Sequence, residues 1–212
     1  IAHTSYGNDN SYSLRLWKVG GMTVRNNTVS DSAYWDIGAN NQGITFMINP
    51  PNNPNIVEYN TVTNLGRDGT CVSSKGGTSN LIVRYNRLNC DVALRIPGER
   101  LDGSTLRPGG GWKVYGNIIE NSDTAGVWFG IDEALNDNSI IYNNVFIGNT
   151  NAIRIIWPVE NFAPPMNNTI INNIFINGQT GIFLENRRNP DSTKTVAELL
   201  PTYASDYNLF FN

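Results

Sequence analysis

The chain has 212 residues, 15 Lys and Arg against 18 Asp and Glu, a formal net charge of -3, and a single histidine at His3. That balance argues against a nucleic-acid partner, the lack of an eighteen-residue apolar run against a membrane span, and the lone His3 against histidine-dependent nucleophilic catalysis. At this length one domain is expected.

Elements follow from a pattern that returns along the whole chain: apolar, any, any, Asn, any, apolar. It reads Val24 to Val29 around Asn27, Val57 to Val62 around Asn60, Val83 to Leu88 around Asn86, and Val114 to Ile119 around Asn117. Ile141 to Phe146 around Asn144 and Ile170 to Phe175 around Asn173 follow, and Ser205 to Phe210 around Asn208 is a degenerate copy. The Asn residues are 33, 26, 31, 27, 29 and 35 residues apart. Between the copies run short alternating segments, at Gly43–Phe46, Gly69–Val72, Asp91–Leu94, Gly126–Phe129, Asn151–Ile155 and Gly181–Leu184. Period-two alternation bounded by Gly, Asn and Asp predicts strands, and a strand-bearing repeat of this length predicts a solenoid. Only 195–200 reads as a helix, opened by a capping box and stopped by Pro201.

The expected fold is an all-β, right-handed parallel β-helix of about 7–8 rungs spanning 1–212, since parallel crossovers take that hand. The Asn residues are expected to take the left-handed bend conformation and to hydrogen-bond from rung to rung as an Asn ladder. Both ends look open, so the chain is expected to be a fragment of a longer protein or to associate end to end with another copy; the start at Ile1 suggests a processed product. Strand spacing puts Cys90 about 10 Å from Cys71 unless the chain bends, so free thiols are expected.

In a solenoid, function concentrates on one lateral face bordered by loops. The longest insertions, 97–112, 131–139, 157–169 and 186–204, follow the alternating strands. Aligning those strands gives three outward columns: Thr45, Cys71, Ala93, Trp128, Arg154, Phe183; then Met47, Ser73, Arg95, Gly130, Ile156, Glu185; then Asn49, Lys75, Pro97, Asp132, Pro158, Arg187. Lys75 and Arg95 thereby fall on adjacent rungs in neighbouring columns. An arginine beside a lysine disfavours the ammonium and makes the amine a plausible base. Glu99, Arg100, Asp102 and Arg107 hang in the next loop, and Trp128, Trp157 and Phe183 offer faces for sugar rings.

The stretch Val72-Ser-Ser-Lys75-Gly-Gly-Thr-Ser-Asn80, with Val83-Arg-Tyr-Asn86, Leu94-Arg95 and Val114-Tyr-Gly-Asn117, resembles right-handed β-helix polysaccharide lyases, closest to the chondroitinase B and alginate lyase group. The likeness covers roughly residues 65–120. It implies a secreted or periplasmic enzyme that cuts a uronic-acid polysaccharide by β-elimination, with Lys75 as base and Arg95 as acid. Substrate contacts would come from Trp128, Arg154, Glu185, Arg187, Asp132 and Arg100. The group's calcium-binding glutamates, five and seven residues before the Lys, are Thr70 and Asp68 here, so Asp68 is the one candidate metal ligand left. The group's His-Gly after the Arg is Ile96-Pro97-Gly98, and its Ser after the Lys is Gly76. Two other readings stay open: a non-catalytic surface or filament-forming β-helix, and a glycoside hydrolase using Asp132, Glu133 or Glu185.

Overall fold

A computed structural model describes residues 11–30, 41–47, 52–63, 69–75, 78–96, 109–129, 136–157, 167–186 and 204–211. They form a parallel β-solenoid whose walls are three seven-stranded sheets. The first sheet stacks Ser11–Trp17, Asn41–Met47, Thr70–Lys75, Val92–Ile96, Ala125–Phe129, Asn151–Trp157 and Thr180–Asn186 in that order. The second begins with Thr23–Arg25 and Ile56–Glu58 and ends with Ala204–Asp206; the third begins with Thr28–Val29 and Thr61–Thr63 and ends with Leu209–Phe211. Gly109–Gly110 and Asn136–Asp137 make a small two-stranded sheet. The residues proposed as a helix at 195–200 lie outside the described residues.

Each repeat of the sequence pattern is a corner between the second and third sheets. Its first apolar residue faces inward from one sheet and its last from the other, so like stacks on like: Val57, Val83, Val114 and Ile141 in one column, Val62, Leu88, Ile119 and Phe146 in the next, all buried. The first sheet adds Ile44, Val72, Leu94, Val127 and Ile153. Stacking identical positions about 4.8 Å apart fills the interior without long-range shape matching.

The Asn amides close each corner. The Oδ1 of Asn86 accepts from the backbone N–H and the Nδ2 of Asn60 at 2.9 and 3.0 Å, and Asn117 does the same for Asn86 at 3.0 and 3.0 Å. Pairs of bonds of this kind run on from Asn117 to Asn144, Asn173 and Asn208. The left-handed bend, however, is one residue earlier than the sequence suggested. Positive φ belongs to Asn26, Tyr59, Tyr85, Gly116, Asn143, Asn172 and Tyr207. The preceding residue takes the strain and turns the Asn side chain inward to bond.

At Gly116 both constraints meet. Its φ is +65°, and a Cβ there would lie 2.6 Å from Cδ1 and Cε1 of the Tyr85 ring. Gly116→Ala is expected to cost about 1–2 kcal/mol from the left-handed backbone alone, and more from displacing the ring. A denaturant midpoint unchanged from the parent would contradict this.

The cysteines are bonded, contrary to the free thiols expected. Cys71 and Cys90 form a disulfide with Cα atoms 5.7 Å apart. Thr70 pairs with Val92, and Cys90 lies before Val92 in the turn out of Arg87–Asn89. That turn supplies the bend an extended-chain estimate lacked.

Candidate functional site

The outer face of the first sheet, part of which is covered at Thr45 and Ser73, is defined by a register that differs from the sequence alignment. Arg15 pairs with Thr45, Thr45 with Ser73, Ser73 with Arg95, Arg95 with Trp128, Trp128 with Arg154, and Arg154 with Phe183. The strands bearing Ser73 and Arg95 thus sit two residues from their expected alignment with the others. A slip of two leaves every side chain on its face, so alternation alone could not detect it. Cys71 and Ala93, expected outward, are fully buried in the core where the third-sheet corner packs against the start of each strand.

The slip brings Arg95 into one column with Trp128, Arg154 and Phe183. Lys75 ends its strand in register with Met47, two residues beyond Ser73, the partner of Arg95. Arg95 is half-buried. The Arg154 guanidinium lies 4.9 Å from the Trp128 ring centroid, and its Nε and Nη2 donate to Oε2 of Glu185 at 3.0 and 2.5 Å. Glu185 is in register with Ile156. Its carboxylate is engaged by a cation, which weakens its claim as a hydrolytic acid or nucleophile. Phe183 is 38% exposed, enough ring surface for stacking.

Asp68, Arg100, Asp132 and Arg187 lie outside the described residues, as do Glu99, Asp102, Arg107 and Glu133. Thr70 holds a neutral hydroxyl in a buried strand position. Among the described residues no group of three or more His, Cys, Asp or Glu could hold a metal ion. Asp68, the candidate metal ligand, is not among those residues.

Sequence reasoning missed two features of this face. Between Arg15 and Arg95 sits a buried polar cluster: Thr45 Oγ1 and Ser73 Oγ donate to Gln42 Oε1 at 2.9 and 2.5 Å and lie 2.8 Å from each other. Gln42 Nε2 and Trp128 Nε1 are buried with no hydrogen-bond partner among the described residues. The second feature is Arg15 with Trp17, on the strand next to Asn41–Met47. Its signal was present as Leu14 and Leu16 alternating with Arg15 and Trp17.

The second sheet carries a different surface. Tyr59 stacks on Tyr85 and Tyr115 on Tyr142, with centroids 5.2 and 4.8 Å apart. Arg84 donates to the Tyr115 hydroxyl at 2.8 Å and to Glu58 at 2.7 Å, which raises its already high pKa. Burial, and then the neighbouring Tyr115, pushes the Tyr142 phenol up. Glu58 also meets Arg25 at 3.6 Å, so two arginines share one carboxylate here.

A family model described as right handed beta helix region matches residues 14–195, and the chain belongs to that family. The solenoid is accordingly right-handed. The family includes polysaccharide lyases and hydrolases. Among solved structures, the surface protein and adhesin PfbA of Streptococcus pneumoniae aligns over 97% of this chain and 92% of its own, at 9% identity and a TM-score of 0.19. No curated protein matches. Among the described residues, no helix is long and apolar enough to cross a membrane.

Proposed function

We propose that the first sheet binds an acidic polysaccharide along the solenoid axis and cleaves it by β-elimination, outside the cytoplasm. The observation that carries this reading is the register: Arg95 shares a column with Trp128, Arg154 and Phe183 and pairs with Ser73, two residues from Lys75. A cation next to an aromatic surface suits a uronate, whose carboxylate needs a charge and whose ring needs an apolar face.

In this reading Lys75 takes the C5 proton of the uronate. A neighbouring arginine stabilises the negative charge that develops on the carboxylate. Arg95, as the acid, gives a proton to the glycosidic oxygen as its bond to C4 breaks, and the electron pair left at C5 forms the C4–C5 double bond; solvent then reprotonates Arg95 and takes the proton from Lys75. The Cys71–Cys90 bond supports an oxidising compartment. We read the scaffold as seven rungs, one for each Asn of the column.

The test is the ultraviolet absorbance of a C4–C5 double bond conjugated with the uronate carboxylate, after incubation with alginate, chondroitin or pectate; the assay reads the double bond that elimination forms. The parent should produce the signal and Lys75→Ala should abolish it. New reducing ends without that absorbance would assign a hydrolase instead. The alternative is a non-catalytic, structural β-helix. Rods in electron micrographs with no cleavage of any polymer would favour it.

A further inference from the structure

We infer that Arg15 and Trp17 form a separate subsite that grips an anionic sugar of the bound polymer, two strands from Lys75. This rests on reading the first sheet as the glycan face. It concerns a place that the cleavage chemistry does not use.

The local sequence builds the subsite. In Tyr12-Ser-Leu-Arg15-Leu-Trp17, Leu14 and Leu16 pack against the core, which leaves Arg15 and Trp17 on the opposite side of the strand. Arg15 is exposed and Trp17 is 47% exposed. The guanidinium carbon of Arg15 lies 4.6 Å from the Trp17 ring centroid and 5.0 Å from that of Tyr12. Its Nε points to Met47 Sδ at 2.9 Å.

These contacts hold the guanidinium in place without neutralising it. Rings and a thioether carry no formal charge, and sulfur is a weak acceptor. Other arginines differ: Arg25 and Arg84 meet Glu58, Arg87 meets Glu120, and Arg154 meets Glu185. Among the described residues Arg15 has no carboxylate within ion-pair distance. A guanidinium stacked on its faces keeps its in-plane fork of N–H donors for an oxyanion. Trp17 beside it supplies an apolar surface for the sugar ring.

The register ties this subsite to the reaction. Trp17 pairs with Met47, and Met47 with Lys75, so the subsite lies about 10 Å from Lys75 along the axis. A polymer with a uronate at Lys75 would lay a residue further along the same chain there, beyond the immediate neighbour. The ligand is an oxyanion on a sugar, either a uronate carboxylate or a sulfate ester.

Binding is measured by titration calorimetry on the full chain carrying Lys75→Ala, so that no polymer is consumed, with polygalacturonate, dextran sulfate and neutral dextran. We expect an anionic polymer to bind, dextran not to bind, and Arg15→Ala and Trp17→Ala each to weaken the anionic polymer about tenfold. Arg15→Lys should not restore binding, because a point charge lacks the fork. Polygalacturonate binding assigns a carboxylate and dextran sulfate binding a sulfate. Each variant is checked for an unchanged unfolding midpoint. Well-folded Arg15→Ala and Trp17→Ala that bind like the Lys75→Ala parent would overturn the subsite, as would no binding of either anionic polymer. Binding lost through Arg15 with no unsaturated product from the native chain would keep the subsite and remove the lyase. Unsaturated product with unchanged Arg15→Ala affinity would do the reverse.

Discussion

Asn117→Ala is expected to lower the unfolding free energy by about 3–5 kcal/mol, from one surface-to-core polar side chain in mid-solenoid. The side chain is 1% exposed. Its Nδ2 donates to Val83 O at 3.0 Å, to Tyr115 O at 3.1 Å and to Asn144 Oδ1 at 2.9 Å. Its Oδ1 accepts from the backbone N–H and Nδ2 of Asn86, both at 3.0 Å. Truncation leaves the Asn86 backbone N–H buried without its acceptor and takes a donor from the Val83 carbonyl, while Asn86 Nδ2 keeps Val57 O and Arg84 O. Each such orphan costs about 1–3 kcal/mol. Asn208→Ala should cost less, because that side chain is half-exposed and its amide has fewer buried partners. Asn117→Asp separates shape from chemistry: it keeps the size and the acceptor but loses the donors and buries a charge, and it should be at least as damaging. A denaturant midpoint for Asn117→Ala within error of the parent would remove the corner amides as a source of stability.

Removing the Cys71–Cys90 bond is expected to cost about 3 kcal/mol. The bridge has a sequence separation of 19, and closing a loop of that size restricts the unfolded chain by about this much. The loop holds Ile82–Arg84 and Arg87–Asn89, one strand each of the second and third sheets. It therefore ties one circuit of the wall to the strand that ends at Lys75. Both sulfurs are buried, with Cys71 at 0% and Cys90 at 5% exposure, so reduction in the folded state should be slow and should accelerate in denaturant. The double Cys71→Ser, Cys90→Ser chain avoids that kinetic problem. Its midpoint should fall by the same amount as that of the parent after reduction verified by mass. Equal midpoints for all three would show that stacking alone supplies the stability.

The fold was legible because its two strongest determinants are local. An Asn flanked by apolar residues at fixed spacing marks a corner, and short alternation marks a strand with one wet face. The register of the first sheet was not legible, since a two-residue slip preserves period-two alternation and the strands differ in length. The left-handed positions were hidden for another reason. Tyr59 and Tyr85 take φ of 55° and 57°, where a bulky ring would not be assigned from sequence. Lys75 and Arg95 could be placed on neighbouring strands because both belong to the same displaced block. Arg15 and Trp17 precede the first Asn repeat, so no repeat marks the strand that carries them. The residues at Asp68, Arg100, Asp132 and Arg187 sit in segments where neither repeat nor alternation speaks.

Because neighbouring strands are parallel and aligned residue for residue, the molecule is modular along its length. One circuit, such as the stretch between Val24 and Val57, stacks its described strands in register on those of the next circuit. Duplicating it in frame should extend the walls by one stride without repacking the rest. A series of such insertions between Arg15 and Arg95 would act as a yardstick, varying the gap between two charges in steps set by the backbone alone.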